Sequence, residues 1–584
     1  MTDWRGTTFE VRLGPPGHGG FCVGRHEGRV VFVRHGLPGE LVRVRVTEDR
    51  GGSFCRADAV EILEPSPDRV PATCPVSGPG GAGCCDFSYA TPKAQRALKA
   101  SVVAEQLRRL AGIDREIVVE PITGAGDTTG GWRTRIRLAV DAEGRAGVHG
   151  YRSTEVITDL RCPQPVSGAL DGVADRLWTP GADLVIAVDG DGVRHIIELA
   201  PAADGDRRKS RGGEWQRAEP SAAGERRDQR GRDRRGRAER TDRRRTSDDQ
   251  GVRGRDDRAG RSSAAERDNR RRPTGKPGSE LRGDDAQGAS DRGHRRRPGE
   301  IGGVWRGGTA QRDIENDDRR PDETDSGGHQ DAGRRGSAKH NRNRHGGLDR
   351  PASDDRTVDD RLEAPQAGER RNASARRAAT HAARDEWVIA GTGRAVEYVA
   401  GRRWEVSATG FWQAHHGAAQ CYSDLVGEWS GLHPGGLAWD LYSGAGVFAS
   451  RLADQVGQTG AVLAVESARS AVADGTAALH DLPWLDLHAQ RVERWVTERV
   501  GGAAPDTIVL DPPRAGAGKE VVAAITTTGP LRIIHIGCDP AAFARDLGLY
   551  QSAGYELVDL RAFDAFPGTH HVECIALLER SAPE

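Results

Sequence analysis

Between residues 203 and 385 the chain almost abandons aliphatic side chains. The run R-R-D-Q-R-G-R-D-R-R-G-R is typical of this stretch, which is built mainly from Arg, Asp, Gly, Ser and Glu. Such a segment cannot bury enough apolar surface to offset the entropy of ordering it, so disorder is expected. Strand-type patterning stops at its start and resumes at E-W-V-I-A-G from Glu386, which predicts an insertion into a loop of a folded domain. Its interleaved acids cancel much of the arginine field, so an inert connection is expected. The chain's net charge of −1, with 29% charged residues, reflects the same mixing of signs.

Nine cysteines at irregular spacing in 584 residues favour a reducing compartment over a disulfide scaffold. The opening M-T-D-W-R-G-T-T-F-E has no apolar leader core, and no apolar run is long enough to span a bilayer. The expectation is a cytoplasmic, monomeric protein with no membrane partner.

Residues 1–65 alternate as short strands: F-E-V-R-L, G-R-V-V-F-V, E-L-V-R-V-R-V-T-E and A-D-A-V-E-I-L. Glycine- and proline-rich turns join them. So short a stretch buries a face only by curling into a small barrel. Arg25, Arg29, Arg34, Arg43 and Arg45 decorate it, either as a phosphate-contacting surface or as the solvated face of a sheet.

A central domain is expected over 66–202. It opens with C-P-V-S-G-P-G-G-A-G-C-C-D-F, carrying Cys74, Cys84 and Cys85, and Cys162 follows later. Such a set can form a Cys₄ iron–sulfur or zinc site, but adjacent cysteines rarely both reach one ion. The alternative is partly buried, unliganded thiols. A helix is predicted over Pro92–Leu110. A strand over Trp132–Val140 carries Arg133, Arg135 and Arg137 on one side, a phosphate grip or a solvated face.

From 386 to 584 the chain finishes the central domain, then alternates strands and helices. That order argues for a doubly wound, mostly parallel α/β sheet. Its first strand runs into D-L-Y-S-G-A-G-V-F, with Asp440, Gly444 and Gly446, a turn that lets backbone approach a nucleotide-like ligand. About 20 residues on, Glu466 ends the second strand, the placement of an acid that hydrogen-bonds a ribose diol. The absent third glycine and the D-P-P-R turn at Asp511–Arg514 favour S-adenosylmethionine over a dinucleotide. Ile533–Leu547, I-I-H-I-G-C-D-P-A-A-F-A-R-D-L, presents Cys538 between a strand and a helix, where such folds carry reactive groups and also structural cysteines.

The string G-H-G-G-F-C-V-G-R-H-E-G-R-V-V-F-V-R-H-G-L-P-G-E resembles a TRAM domain, an OB-like RNA-binding barrel. F-W-Q-A-H (Phe411–His415), D-L-Y-S-G-A-G-V-F, L-D-P-P-R-A-G, I-G-C-D-P-A-A-F-A-R-D-L and F-P-G-T-H-H-V-E resemble, in order, the motifs of the RNA 5-methyluridine methyltransferases. The resemblance implies a Rossmann-like methyltransferase domain that methylates C5 of a uridine in ribosomal RNA or tRNA. It implies Cys538 as nucleophile and Glu573 as general base. Gln413, Tyr442, Glu466 and Asp511 would hold S-adenosylmethionine, with Gly444 and Gly446 in the loop, and Arg545 would orient substrate or phosphate. Gly537 stands where the family usually has Ser, Ser443 where Cys is common, and Val447 replaces a small polar residue. Ala82 takes the middle iron–sulfur ligand's place if Cys85 is the third. Two competing readings are a nitrogen methyltransferase working through D-P-P-R, which would need no thiol, and an RNA-binding protein without catalysis.

Overall fold

A computed structural model describes residues 3–122, 129–202 and 384–581. Residues 203–383, where disorder is expected, lie outside the described residues.

Six strands build the N-terminal sheet: β1 (Thr8–Arg12), β2 (Pro16–Gly17), β3 (Phe21–His26), β4 (Arg29–Arg34), β5 (Leu41–Asp49) and β6 (Phe54–Glu64). Their order is β1-β5-β6-β4-β3-β2. Thr8–Gly17 is one bent stretch that pairs first with β5 and then with β3, bonding Gly14 N to Val23 O at 2.8 Å and Val23 N to Pro15 O at 3.0 Å. The sheet therefore curls onto itself around Val11, Val31, Val33, Val42 and Val44. Gly14 permits the bend, because a Cβ there would lie 2.9 Å from Val23 O. The barrel arginines divide. Arg29 is buried against Asp49, Arg34 is buried against Asp86, and Arg43 pairs with Glu10 and Glu61. Arg25 and Arg45 stand exposed.

Helix α1 (Pro92–Ala111) starts on Thr91, whose hydroxyl accepts the Ala94 amide, and stops at left-handed Gly112. Its Val103 and Leu107 join the core under the C-terminal sheet, and the following β7 (Val119–Pro121) adds an edge strand there. Part of the central segment thus belongs to the C-terminal layers.

The middle sheet is antiparallel, ordered β10-β9-β8-β11-β12-β13. Its strands are β8 (Arg135–Val140), β9 (Ala146–His149), β10 (Val156–Ile157), β11 (Asp183–Val188), β12 (Arg194–Leu199) and β13 (Glu386–Ala390). β12 and β13 are neighbours, and Ala200 N reaches Asp385 O at 2.9 Å. The chain before 203 and after 383 therefore meets at one edge. The predicted arginine row is bound by the protein itself: Arg133 by Gln164, Arg135 by Glu397 and Arg137 by Asp183.

After the hairpin β14 (Arg394–Val399) and β15 (Arg402–Ser407) comes α2 (Ala418–Trp429). The elements of the C-terminal sheet follow as β16 (Leu437–Leu441), α3 (Val447–Val456), β17 (Ala461–Glu466), α4 (Arg469–Ala478), β18 (Leu485–Ala489), α5 (Val492–Thr497) and β19 (Thr507–Leu510). Then come α6 (Gly518–Thr528), β20 (Arg532–Gly537), α7 (Pro540–Ser552), β21 (Tyr555–Asp564) and β22 (Glu573–Arg580). The sheet order is β18-β17-β16-β19-β20-β22-β21-β7, parallel from β18 to β20 with β22 antiparallel. Helices α2 and α3 pack on one face, and α1, α5, α6 and α7 on the other. This is the doubly wound arrangement expected. The order reverses between β16 and β19, where such sheets open a ligand crevice. Among the described residues no helix is long and apolar enough to cross a membrane.

Candidate active site

Strand alternation sorts the site residues onto one face. Ala438, Val509, Ile536 and Ile575 all join the core under α2 and α3. Two residues along from each, at the crevice edge, stand Asp440, Asp511, Cys538 and Glu573. Chain segments far apart in sequence therefore bring two aspartates, a thiol and a glutamate to one side of one edge.

Cys538 is partly buried after β20. Burial, then the neighbouring Glu573 and Asp511, push its thiol up to about 12. Asp539 follows and caps α7, its Oδ1 accepting Ala542 N at 2.9 Å. Glu573 is 3% exposed at the start of β22, opposite Phe563. Burial, then the charge of Asp511, raise its carboxyl well above the ordinary range, and Arg514 opposes them. Burial raises Asp511 to about 7. Arg514 Nη2 lies 3.1 Å from His571 Nε2. His571 is pushed down to about 2 by burial, His570 and Arg514, so the neutral ring accepts.

The D-P-P-R loop is fastened from behind. Asp546 of α7 accepts Ala517 N at 2.7 Å and Gly518 N at 3.2 Å. Gly516 is left-handed, and a Cβ on it would fall 2.4 Å from Asp546 Oδ2. Gln413 arrives from the other side, its Nε2 3.5 Å from Asp511 Oδ2. Its loop is pinned by Thr134 N to Ala414 O at 2.8 Å and by His415 stacked on Trp132.

In the glycine turn, Gly444 and Gly446 have φ of +56° and +80°. A Cβ on Gly446 would meet Leu479 at 2.8 Å, whereas the space beside Gly444 is open. Glu466 accepts Gly444 N at 3.3 Å and Ala468 N at 2.7 Å, tying the turn to the end of β17. Tyr442 also has a left-handed φ, +63°, which turns its side chain towards the core of the opposite face. Asp440 Oδ2 accepts Ala449 N at 2.8 Å, while its Oδ1 and the Ser443 hydroxyl are buried without a protein partner. An unpaired buried polar atom costs about 1–3 kcal/mol. An open glycine turn beside unsatisfied acceptors therefore fits a polar, nucleoside-bearing cofactor. Arg545 is exposed and bonds Ala541 O of its own helix.

The thiols of Cys74 and Cys84, both free, raise the Cys85 thiol as its neighbours, and Cys85 Sγ also accepts the Gln164 amide at 3.2 Å. Cys162 lies within electrostatic reach of Cys74 and Cys84. Yet among the described residues no group of three or more His, Cys, Asp and Glu is arranged to hold a metal ion. Ala82 and the Cys84–Cys85 adjacency thus leave a thiol cluster that does not fit an iron–sulfur or zinc site.

Three residues that reach the site carried no sequence signal as site residues. His18 of the barrel lies 3.3 Å from Asp539 Oδ2, and Asp86 binds His570. Tyr422 of α2 is fully buried, its hydroxyl unpartnered and in the field of Glu573, Asp511 and Cys538. Pairings across hundreds of residues leave no local pattern.

A doubly wound sheet with a glycine turn, strand-end acids and no phosphate clamp defines the class of S-adenosylmethionine-dependent methyltransferases. A TRAM domain family matches residues 4–60, and a tRNA (Uracil-5-)-methyltransferase family matches 490–581. An uncharacterized RNA methyltransferase of Streptomyces avermitilis is 34% identical, covering 99% of each chain. Another from Streptomyces coelicolor is 35% identical over 99% of this chain and 94% of its own. The fold resembles the tRNA (uracil-54, C5)-methyltransferase of Pyrococcus abyssi, solved with S-adenosyl-L-homocysteine. That match has a TM-score of 0.50 and 15% identity, over 98% of this chain and all of the other. The chain belongs to the TRAM-containing, S-adenosylmethionine-dependent RNA methyltransferases of the tRNA (uracil-5-)-methyltransferase family.

Proposed function

We propose that the enzyme methylates C5 of one specific uridine in ribosomal RNA or tRNA through a covalent bond between Cys538 and uracil C6. The observation that carries this reading is the shared face of Cys538, Glu573 and Asp511 beside the glycine turn. Nine free cysteines suit action in a reducing cytoplasm.

Uracil C5 is too weak a nucleophile to be methylated unaided. Bound S-adenosylmethionine supplies an electrophilic methyl group. Cys538, protonated at rest, loses its proton to solvent water as its Sγ adds to C6, and the C5=C6 pair shifts into an enolate. C5 would then take the methyl group, with S-adenosylhomocysteine as the leaving group. Glu573, made more basic by burial, removes the C5 proton; the double bond re-forms and the C6–S bond breaks, releasing the thiolate. Gln413, Glu466 and Asp511 would hold the cofactor with their side chains, and Tyr442, Gly444 and Gly446 with the backbone of the turn. Arg514 and His571 keep the loops bearing Asp511 and Glu573 together.

The test maps 5-methyluridine in total RNA from cells with and without the protein. One site should lose its methyl group when the gene is removed and regain it with the wild-type chain but not with Cys538→Ala. An unchanged map would contradict the assignment.

A further inference from the structure

The two proposed catalytic residues share a support outside their own domain. Between β2 and β3 the barrel turns through His18, Gly19 and Gly20. Gly20 is left-handed at φ +80°, and a Cβ on it would lie 3.1 Å from Asp86 Cβ and 3.3 Å from His570 Nδ1. The turn therefore packs backbone-first against the loop that leads to Glu573. His18 Nε2 lies 3.3 Å from Oδ2 of Asp539, the residue directly after Cys538. Asp539 spends its other oxygen on the cap of α7, so the His18 contact is made to a carboxylate already fixed to the helix.

A second link runs in parallel. Arg34 of β4 holds Asp86 Oδ1 at 2.5 Å, and Asp86 Oδ2 meets His570 Nδ1 at 2.5 Å. Arg34 and Asp86 side chains are each only 4% exposed, so that ion pair is shielded from screening water. Phe87 N bonds Gly568 O at 2.9 Å, and Gln95 Oε1 accepts Gly568 N at 2.7 Å, clamping the same F-P-G-T-H-H loop. One barrel thus braces the nucleophile through Asp539 and the base loop through Asp86 and His570.

We infer that the N-terminal barrel is a working part of the catalytic centre, and that His18 is a positioning residue that sets the nucleophile segment through Asp539. The inference rests on the reading of Cys538 as nucleophile and Glu573 as base. A barrel that served only to hold RNA would need no contact with the residue next to the nucleophile. A misplacement of the reacting groups by an ångström is enough to cost large factors in rate.

The experiment compares full-length wild type, His18→Ala and His18→Gln, the last keeping a donor for Asp539. Single-turnover methyl transfer at saturating RNA should fall at least about tenfold in His18→Ala and recover largely in His18→Gln. RNA and cofactor dissociation constants should move by less than about twofold, because no ligand contact is removed. The alkylation rate of Cys538 by iodoacetamide, read by peptide mass spectrometry, should also change at least about threefold in His18→Ala. That readout needs no RNA, so it still decides the inference if wild type proves inactive on uridine, an outcome that would instead sink the functional reading. Weaker RNA binding with an unchanged maximal rate and unchanged Cys538 reactivity would overturn the inference, as would no effect at all.

Discussion

Gly537 lies flat against Phe543: a Cβ on the glycine would sit 2.8 Å from Cδ2 of the ring and 3.2 Å from its Cβ. Phe543 belongs to α7, whose first turn starts one residue beyond Cys538–Asp539, so the last residue of β20 and the helix it feeds are in direct contact. The packing accounts for glycine where a serine is usual. Gly537→Ser should destabilise the protein by about 1–3 kcal/mol, the usual cost of overpacking. It should also slow methyl transfer, because the displaced backbone carries Cys538. Thermal unfolding and single-turnover rates of the same preparation check both; a variant as stable and as fast as wild type would contradict the packing account.

Glu573→Gln keeps the shape of the buried side chain and removes the base. Addition of Cys538 and methylation of C5 do not require that base, whereas elimination does. The variant should therefore accumulate an RNA–protein adduct stable to denaturing electrophoresis, with turnover reduced at least about a hundredfold. Cys538→Ala should form no adduct. Full turnover by Glu573→Gln would assign the proton abstraction elsewhere.

Asp511 carries a folded-state value of about 7, raised by burial. Its ordinary value is about 4. A raised value contributes stability that is fully present below the ordinary value and is lost as pH climbs through about 7. Asp440 and Glu573 are raised in the same direction. Ligand-free Asp511→Asn should escape part of this loss and exceed wild type at about pH 8 by on the order of 1–3 kcal/mol. Its advantage should shrink at about pH 4, where the wild-type carboxyl stays protonated, and its cofactor affinity should fall. Calorimetry at the two pH values checks the sign; a variant less stable at the higher pH would reverse it.

Asp546 ties α7 to the loop of Asp511 through the amides of Ala517 and Gly518. Asp546→Ala leaves those partly buried donors without their partner, at a cost of up to about 1–3 kcal/mol. Hydrogen exchange should rise at residues 514–518 before the rest of the sheet opens. Protection unchanged there would show that the loop holds itself.

The doubly wound sheet was legible because each strand end carries its own punctuation: glycines after β16, an acid after β17, D-P-P-R after β19 and G-C-D-P after β20. The convergence of Cys538 and Glu573 followed from motif order. The arginine rows of the barrel and of β8 read two ways, because spacing cannot reveal the acids, Asp49, Asp86, Glu397 and Asp183, that hold Arg29, Arg34, Arg135 and Arg137, nor that Arg25 and Arg45 stay exposed. The four cysteines looked like a ligand set, although Ala82 and the adjacent pair left them without metal-holding geometry among the described residues. Gly537 and His18 were opaque for one reason: each is explained only by a side chain that the fold brings against it.

The central claim is covalent catalysis by Cys538, and RNA in which 5-fluorouridine replaces uridine tests it most directly. After Sγ adds to C6 and C5 is methylated, fluorine at C5 cannot leave as a proton, so the adduct persists. With S-adenosylmethionine present, a stable complex should form, and its RNA-bearing peptide should contain Cys538. RNA and cofactor binding without an adduct, or an adduct at another cysteine, would contradict the account.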